Sequence, residues 1–234
     1  MLSLDCPLHN QEPPTMAKKK PNTPASLQET VFHFKPANAT QIKVVKDYPT
    51  HDLIFLTGPA GTGKTHCALA CALQELLAGE KKQILVVRPI VEVGDTLGFL
   101  PGTVEEKISP YFDPIRRLIK RLTYKLPEEA ILFQPLAYMR GDTFEDTVLF
   151  LDEAQNATYS QLKMFLTRVG NNSKVLISCD PEQTDVKPHN PDKTRCDILS
   201  VMQRLSTMPT ACTHTFTEGE SLRHPLVREV LKRL

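Results

Sequence analysis

The sequence predicts an α/β fold in which a mostly parallel sheet carries helices on both faces. Six short apolar runs alternate with longer segments whose apolar residues recur at helical spacing. Apolar and polar residues do not alternate regularly along the runs, as expected for parallel strands covered by helices on both sides. No repeating unit is visible, so the sequence does not predict a solenoid. The 234 residues fit one domain.

The elements follow in chain order. The strand-like runs are LIFLTG from 53, ILVVRP from 84, ILFQPL from 131, TVLFLDE from 147, KVLISCD from 174 and THTFTE from 213. After the first run, THCALACALQELLAG predicts a helix that ends at Gly79. Residues 1–30 are rich in proline and lysine and lack apolar periodicity, which predicts a disordered basic tail before a domain at 31–234.

Composition restricts the class of protein. Lysine and arginine number 28 against 27 acidic residues, so net charge indicates no particular partner. The six cysteines form no CxxC pair and no zinc-type spacing, which is typical of reduced thiols in a cytoplasmic protein. No apolar run approaches the roughly 20 residues of a membrane span. We expect a cytoplasmic protein, bacterial or phage-encoded, with no membrane partner.

A P-loop pattern lies between the first predicted strand and the following helix. Its glycines let backbone N–H groups turn around phosphate oxygens, and the helix directs its positive end at them. The lysine is expected to bridge the β- and γ-phosphates, and the threonine hydroxyl to complete a magnesium shell. The pattern predicts a site for ATP and Mg²⁺ formed by Gly58, Pro59, Ala60, Gly61, Thr62, Gly63, Lys64, Thr65 and His66.

An acidic pair ends the fourth predicted strand, at the edge where open α/β sheets bind ligands. Asp152 is the expected magnesium ligand. Glu153 is placed to polarise a water that attacks the γ-phosphate, which favours hydrolysis over phosphoryl transfer to a small acceptor. The alternative interpretation is an Asp-Glu pair that merely starts a surface helix.

Four further stretches carry a resemblance to a known family. They are RPIVEVGDTLGFLPGTVEEKISPYFDP (88–114), PLAYMRGDTFEDTVLFLDEAQN (135–156), QLKMFLTRVG (161–170) and SLRHPLV (221–227). With the P-loop they resemble the PhoH-like family of ATPases from residue 34 onward. That family's core is similar to the first RecA-like domain of superfamily 1 helicases. The resemblance implies a single RecA-like P-loop core with Mg²⁺-dependent ATP hydrolysis.

The resemblance also implies roles for individual residues. Gln41 matches the helicase-type glutamine that reads adenine, and Asp180 and Gln183 match a sensor motif near the γ-phosphate, with Cys179 replacing its usual glycine. An arginine is needed against the transition-state charge. The candidates are Arg223, which is preferred, then Arg168, and after them Arg88 and Arg140. A structural ion pair explains each of these arginines equally well.

Nucleic acid is a candidate partner. Apolar residues from Ile108 to Leu122 recur at helical spacing and leave Arg116, Arg117, Lys120 and Arg121 off that stripe. This basic side suits a phosphate backbone, although a solvated face explains it equally well. A single core is expected to act as a homo-oligomer, a hexamer-like ring coupled to single-stranded RNA or DNA. The alternative function is a nucleotide-gated binding module with slow hydrolysis.

Overall fold

The structure is a computed structural model that describes residues 32–90, 104–123, 126–139, 141–183, 198–231 and 233. Six strands form one sheet in which every pairing is parallel, in the order β3-β2-β4-β5-β1-β6. The predicted α/β fold is confirmed, and each predicted run overlaps a strand. The strands are β1 (Leu53–Thr57), β2 (Gln83–Arg88), β3 (Ile131–Pro135), β4 (Thr147–Leu151), β5 (Lys174–Cys179) and β6 (Ala211–Thr215).

Helices connect the strands. The predicted helix after β1 is confirmed. Gly79 lies just beyond its last turn with a left-handed φ of 72°, as expected of a glycine that ends a helix. The tail predicted at residues 1–30 lies outside the described residues. No helix in the described ranges is both long and apolar enough to cross a membrane. The helices are α1 (Ala39–Asp47), α2 (Lys64–Leu77), α3 (Val104–Leu122), α4 (Tyr159–Leu166), α5 (Ile198–Leu205) and α6 (Pro225–Leu231).

The sheet separates two apolar cores because successive strand side chains point to opposite faces. In β1, Ile54 and Leu56 pack with α1, α2 and α3, whereas Leu53 and Phe55 pack with α4 and α5. Every residue of β1, β4 and β5 is buried. This double burial explains why the strands read as continuous apolar runs.

The strand order determines what meets at the carboxyl edge of the sheet. β5 lies between β1, which leads into the P-loop, and β4, which leads into the acidic pair. The last residues of the central strands are in register, with Thr57 opposite both Cys179 and Thr215. Residues that follow β1, β4, β5 and β6 therefore gather at one edge.

Candidate nucleotide-binding site

The P-loop curls between β1 and α2 in a conformation that glycine permits. Gly58, Gly61 and Gly63 have φ values of 129°, 83° and 87°. A Cβ on Gly58 would lie 2.3 Å from the backbone oxygen of Phe216, so that position has no room for a side chain. Gly63 is the residue that caps α2, so the first N–H groups of that 14-residue helix open towards the loop. This arrangement presents the donors that phosphate oxygens require.

Lys64 lies within the P-loop rather than out in solvent. Its Nζ donates to the carbonyl of Gly58 at 2.5 Å and to that of Pro59 at 2.9 Å. Burial lowers the pKa of Lys64, while the negative charges of Asp180 and Glu153 oppose that shift. A lysine in this position is held close to the loop that would cradle phosphate.

Asp152 is 1% exposed and accepts hydrogen bonds from three elements of the fold. Thr65 on α2 donates to its Oδ1 at 2.9 Å, and Ser178 on β5 donates to the same oxygen at 2.5 Å. Arg88 at the end of β2 donates to Oδ2 at 3.0 Å. The buried charge of the carboxylate is therefore well solvated by the protein itself.

These donors suit a hard divalent cation. Magnesium prefers oxygen ligands and takes only one or two from protein, with waters and substrate phosphates supplying the rest. Thr65 and Asp152 supply that pair of oxygens on adjacent elements. No group of three or more His, Cys, Asp or Glu side chains forms a metal site in the described ranges. The residues present therefore fit magnesium bound together with a nucleotide.

Glu153 has a strained backbone, with φ 57° and ψ 42°. One oxygen of its carboxylate accepts a hydrogen bond from Gln155 Nε2 at 2.6 Å, and the other accepts one from Arg88 at 3.5 Å. Burial, and then the negative charge of Asp152, raise the pKa of Glu153, opposed by Gln155, Arg88 and Lys64. A carboxylate with a raised pKa beside a P-loop lysine is suited to accept a proton.

Segments from both ends of the domain close over the P-loop. The Leu222 N–H donates to the carbonyl of Gly61 at 2.8 Å. The Arg223 side chain crosses Gly61, where an added Cβ would lie 2.5 Å from its Cγ. From the other end of the domain, the side-chain amide of Asn38 donates to the carbonyls of Thr62 and Glu220. Arg223, the preferred arginine candidate, thus lies against the P-loop of its own chain.

Gln41 also contacts the P-loop, in a different manner from the predicted one. Its side chain is fully buried, its Oε1 accepts from the N–H of Ala37 at 2.8 Å and its Nε2 donates to the carbonyl of Thr62 at 3.1 Å. The amide braces the loop that would hold the phosphates, and its contact with adenine stays a prediction. His66 packs edge-on against Phe34 at 5.3 Å and points no hydrogen bond at the loop among the described contacts.

Among the other predicted residues, Gln183 and Arg168 lie apart from this cluster. Gln183 is exposed, and among the described contacts it meets Asp180 only through its backbone N–H. The Arg168 carbonyl accepts from Phe144, ahead of β4, which places Arg168 at the opposite edge of the sheet from its own P-loop. Arg140 lies outside the described residues. Cys179, in place of glycine, keeps a regular strand conformation and is buried, and burial raises the pKa of its thiol to about 11.

Two residues of the site carried no role in the sequence analysis. Ser178 is a buried hydroxyl between the apolar residues at the end of β5, and that position signals a polar partner nearby. Gln155 is 3% exposed two residues after Glu153. Ser178 reaches Asp152 because β5 lies beside β4. Gln155 contacts Glu153 two residues away and also accepts the backbone N–H of Asp180 after β5.

Comparison with known families agrees with this geometry. The family model described as "PhoH-like protein" matches residues 33–234. A PhoH-like protein of Bacillus subtilis (strain 168) is 39% identical over 188 residues, which cover 78% of this chain and 58% of the relative. Protein PhoH of Escherichia coli (strain K12) is 42% identical over 157 residues, covering 64% of this chain and 44% of the relative. The chain therefore spans about half the length of such relatives.

Solved structures share the fold at low sequence identity. The large terminase from a thermophilic bacteriophage superposes with a TM-score of 0.55 and 16% identity, over 85% of this chain and 50% of the terminase. The same terminase in complex with ADP gives a TM-score of 0.54 over the same shares. This likeness supports the parallel α/β fold described above.

Proposed function

This chain belongs to the PhoH-like protein family, and from that premise we propose that it binds ATP with Mg²⁺ and hydrolyses it. One observation carries the proposal. Thr65 of the P-loop and Asp152 of the acidic pair, 87 residues apart in sequence, share a hydrogen bond of 2.9 Å. A phosphate cradle and a magnesium carboxylate that meet in this way form the core of a P-loop ATPase site.

The residues divide the reaction among them. Glu153 accepts a proton from the water that attacks the γ-phosphorus, the bond from that phosphorus to the bridging oxygen breaks, and ADP and inorganic phosphate leave. Lys64 and Arg223 place positive charge beside the P-loop. Thr65 and Asp152 would hold magnesium, which neutralises phosphate charge when bound.

Steady-state hydrolysis of ATP with magnesium tests this proposal. Lys64→Ala removes the cation nearest the loop, so we expect turnover to fall by about 10²–10³-fold. Lys163→Ala, an exposed lysine on α4, is the matched control and should keep wild-type turnover. Binding of ATP without turnover in the wild-type protein would instead favour the nucleotide-gated binding module.

We further propose that hydrolysis is coupled to single-stranded RNA or DNA. On α3, Phe112, Ile115, Ile119 and Leu122 are buried, whereas Arg117, Lys120 and Arg121 are exposed. These three cations make no ion pair in the described part of the chain, and such a surface attracts phosphate backbones. The positive charge of Arg121 adds to burial in lowering the pKa of His66, so this basic face adjoins the P-loop helix.

Arg116 does not belong to that free basic face. It pairs with Asp113 at 3.2 Å and lies over the ring of Phe133 at 4.5 Å. The double variant Arg117→Ala/Lys120→Ala should therefore weaken single-strand binding while basal ATP hydrolysis persists. Each lost phosphate contact should flatten the slope of log affinity against log salt by about 0.7. An unchanged slope would contradict the nucleic-acid proposal.

Finally, we propose a ring-shaped homo-oligomer in which Arg168 serves a neighbouring site. The position of Arg168 at the far edge of the sheet supports this arrangement, because it is remote from its own P-loop. Mixing Arg168→Ala with Glu153→Gln subunits should restore part of the activity that each lacks alone. Light scattering with ATP and magnesium should give the mass of a multimer. A monomer, or no restoration on mixing, would contradict the ring.

A further inference from the structure

Gln155 is a buried amide in the turn Ala154–Asn156, directly after the acidic pair. It is 3% exposed, and its side chain turns back towards the carboxyl edge of the sheet. A buried amide needs partners for its donor and acceptor groups. The partners of Gln155 identify what it does.

The two ends of the amide contact two different strand ends. The backbone N–H of Asp180, after β5, donates to Gln155 Oε1 at 3.0 Å. Gln155 Nε2 donates to Glu153 Oε2 at 2.6 Å. Because a backbone N–H can only donate, it fixes the oxygen of the amide towards Asp180 and leaves the NH₂ group facing the carboxylate. The orientation of Gln155 is therefore determined by the protein backbone.

Glu153 requires such a partner. Its φ of 57° is an unfavourable conformation for a residue with a side chain, and it persists only where neighbours hold it. The backbone turn contributes, since the Asn156 N–H donates to the Glu153 carbonyl at 3.1 Å. The carboxylate itself is held at its second oxygen only by Arg88, at the longer distance of 3.5 Å, among the described contacts. Of the two side-chain contacts of the Glu153 carboxylate, the one with Gln155 is therefore the shorter.

We propose that Gln155 is a positioning residue that orients the Glu153 carboxylate for water activation and ties it to the end of β5. This inference rests on the proposed ATP hydrolysis. The tie reaches the segment after β5, because Asp180 also accepts backbone N–H groups of Glu182 and Gln183. A displacement of residues 180–183 would therefore reach Glu153 through Gln155.

Two substitutions separate the two contacts. Gln155→Met keeps the length and fills the space but removes both hydrogen bonds. Gln155→Glu keeps an acceptor for the Asp180 N–H and loses the donor to Glu153. Gln203→Met, on the exposed side of α5, is the matched control. The readouts are kcat, KM for ATP and the melting temperature.

Misplacement of the carboxylate should affect turnover and spare binding. For Gln155→Met we expect kcat to fall by about ten- to a hundredfold with KM within about twofold, since small misplacements cost rates of this order.

Gln155→Glu should lose at least as much turnover, because its own negative charge faces Glu153. If Gln155→Met does not fold, Gln155→Glu decides the question. Wild-type kcat in either folded variant would overturn the inference while leaving ATP hydrolysis intact. A loss of kcat that only follows a lower melting temperature and weaker ATP binding would also overturn it. A wild-type protein without turnover would instead refute the proposed function, and this inference with it.

Discussion

Glu153→Gln separates catalysis from nucleotide binding at this site. The amide has the shape of the carboxylate but cannot accept the proton of the attacking water. We expect kcat to fall by about 10²–10⁴-fold, which corresponds to about 3–5 kcal/mol of transition-state stabilisation. The affinity for ATP should be preserved, since Lys64 and Thr65 keep their contacts with the loop and with Asp152.

The same substitution should stabilise the fold near neutral pH. Burial and Asp152 raise the pKa of Glu153 in the folded protein, so the ionised carboxylate opposes folding. This destabilisation is absent below the pKa of glutamate in the unfolded chain, about 4.3. It grows as the pH rises towards the pKa of Glu153 in the folded protein and stays constant above that pKa. Glu153→Gln should therefore melt at a higher temperature than wild type at about pH 8, with the difference vanishing near pH 4.

Single-turnover hydrolysis, ATP-binding titration and melting curves at acidic and mildly alkaline pH measure these effects. Glu182→Gln is the control, because it removes an exposed glutamate at the same edge of the sheet. It should change neither rate nor stability. A Glu153→Gln protein that hydrolyses ATP at the wild-type rate would refute the general-base role. A lower melting temperature than wild type on the alkaline side would refute the argument from burial.

Three further substitutions test the framework of the site. Ser178→Ala removes a buried donor to the acid at the end of β4, and its loss of about 1.5–3 kcal/mol should lower the melting temperature by about 3–12 °C. Gly58→Ala should lower the melting temperature more than Gly141→Ala does. Both glycines have positive φ, but only at Gly58 would the added methyl group clash with Phe216. Lys174→Met breaks a buried ion pair remote from the P-loop, so melting should fall by about 6–20 °C while ATP affinity persists.

The sequence predicted the parts of the site that are local in the chain. The P-loop is readable because its glycines, lysine and threonine are consecutive and lie between an apolar run and a helical pattern. Asp152 and Glu153 are readable because they end an apolar run. The strands β1, β4 and β5 were predictable because burial on both faces favours apolar runs.

The contacts between strands were not predictable in this way. Arg88 was named only as one of four candidate arginines, yet it contacts both acids from the neighbouring strand. Arg168 was the second choice, and the packing of α4 carries it to the far edge. Side-chain meetings of this kind depend on which strands are adjacent, and periodicity does not carry that information.

The position of β5 gives these contacts a common logic. Because β5 separates β1 from β4, Asp152 meets the P-loop through Thr65 and meets β5 through Ser178. Glu153 meets the end of the same strand through the amide of Gln155. Both acids are therefore tied to the carboxyl end of β5, Asp152 directly and Glu153 through Gln155. Residues 180–183 after β5 extend this network, because Asp180 also accepts the backbone N–H groups of Glu182 and Gln183.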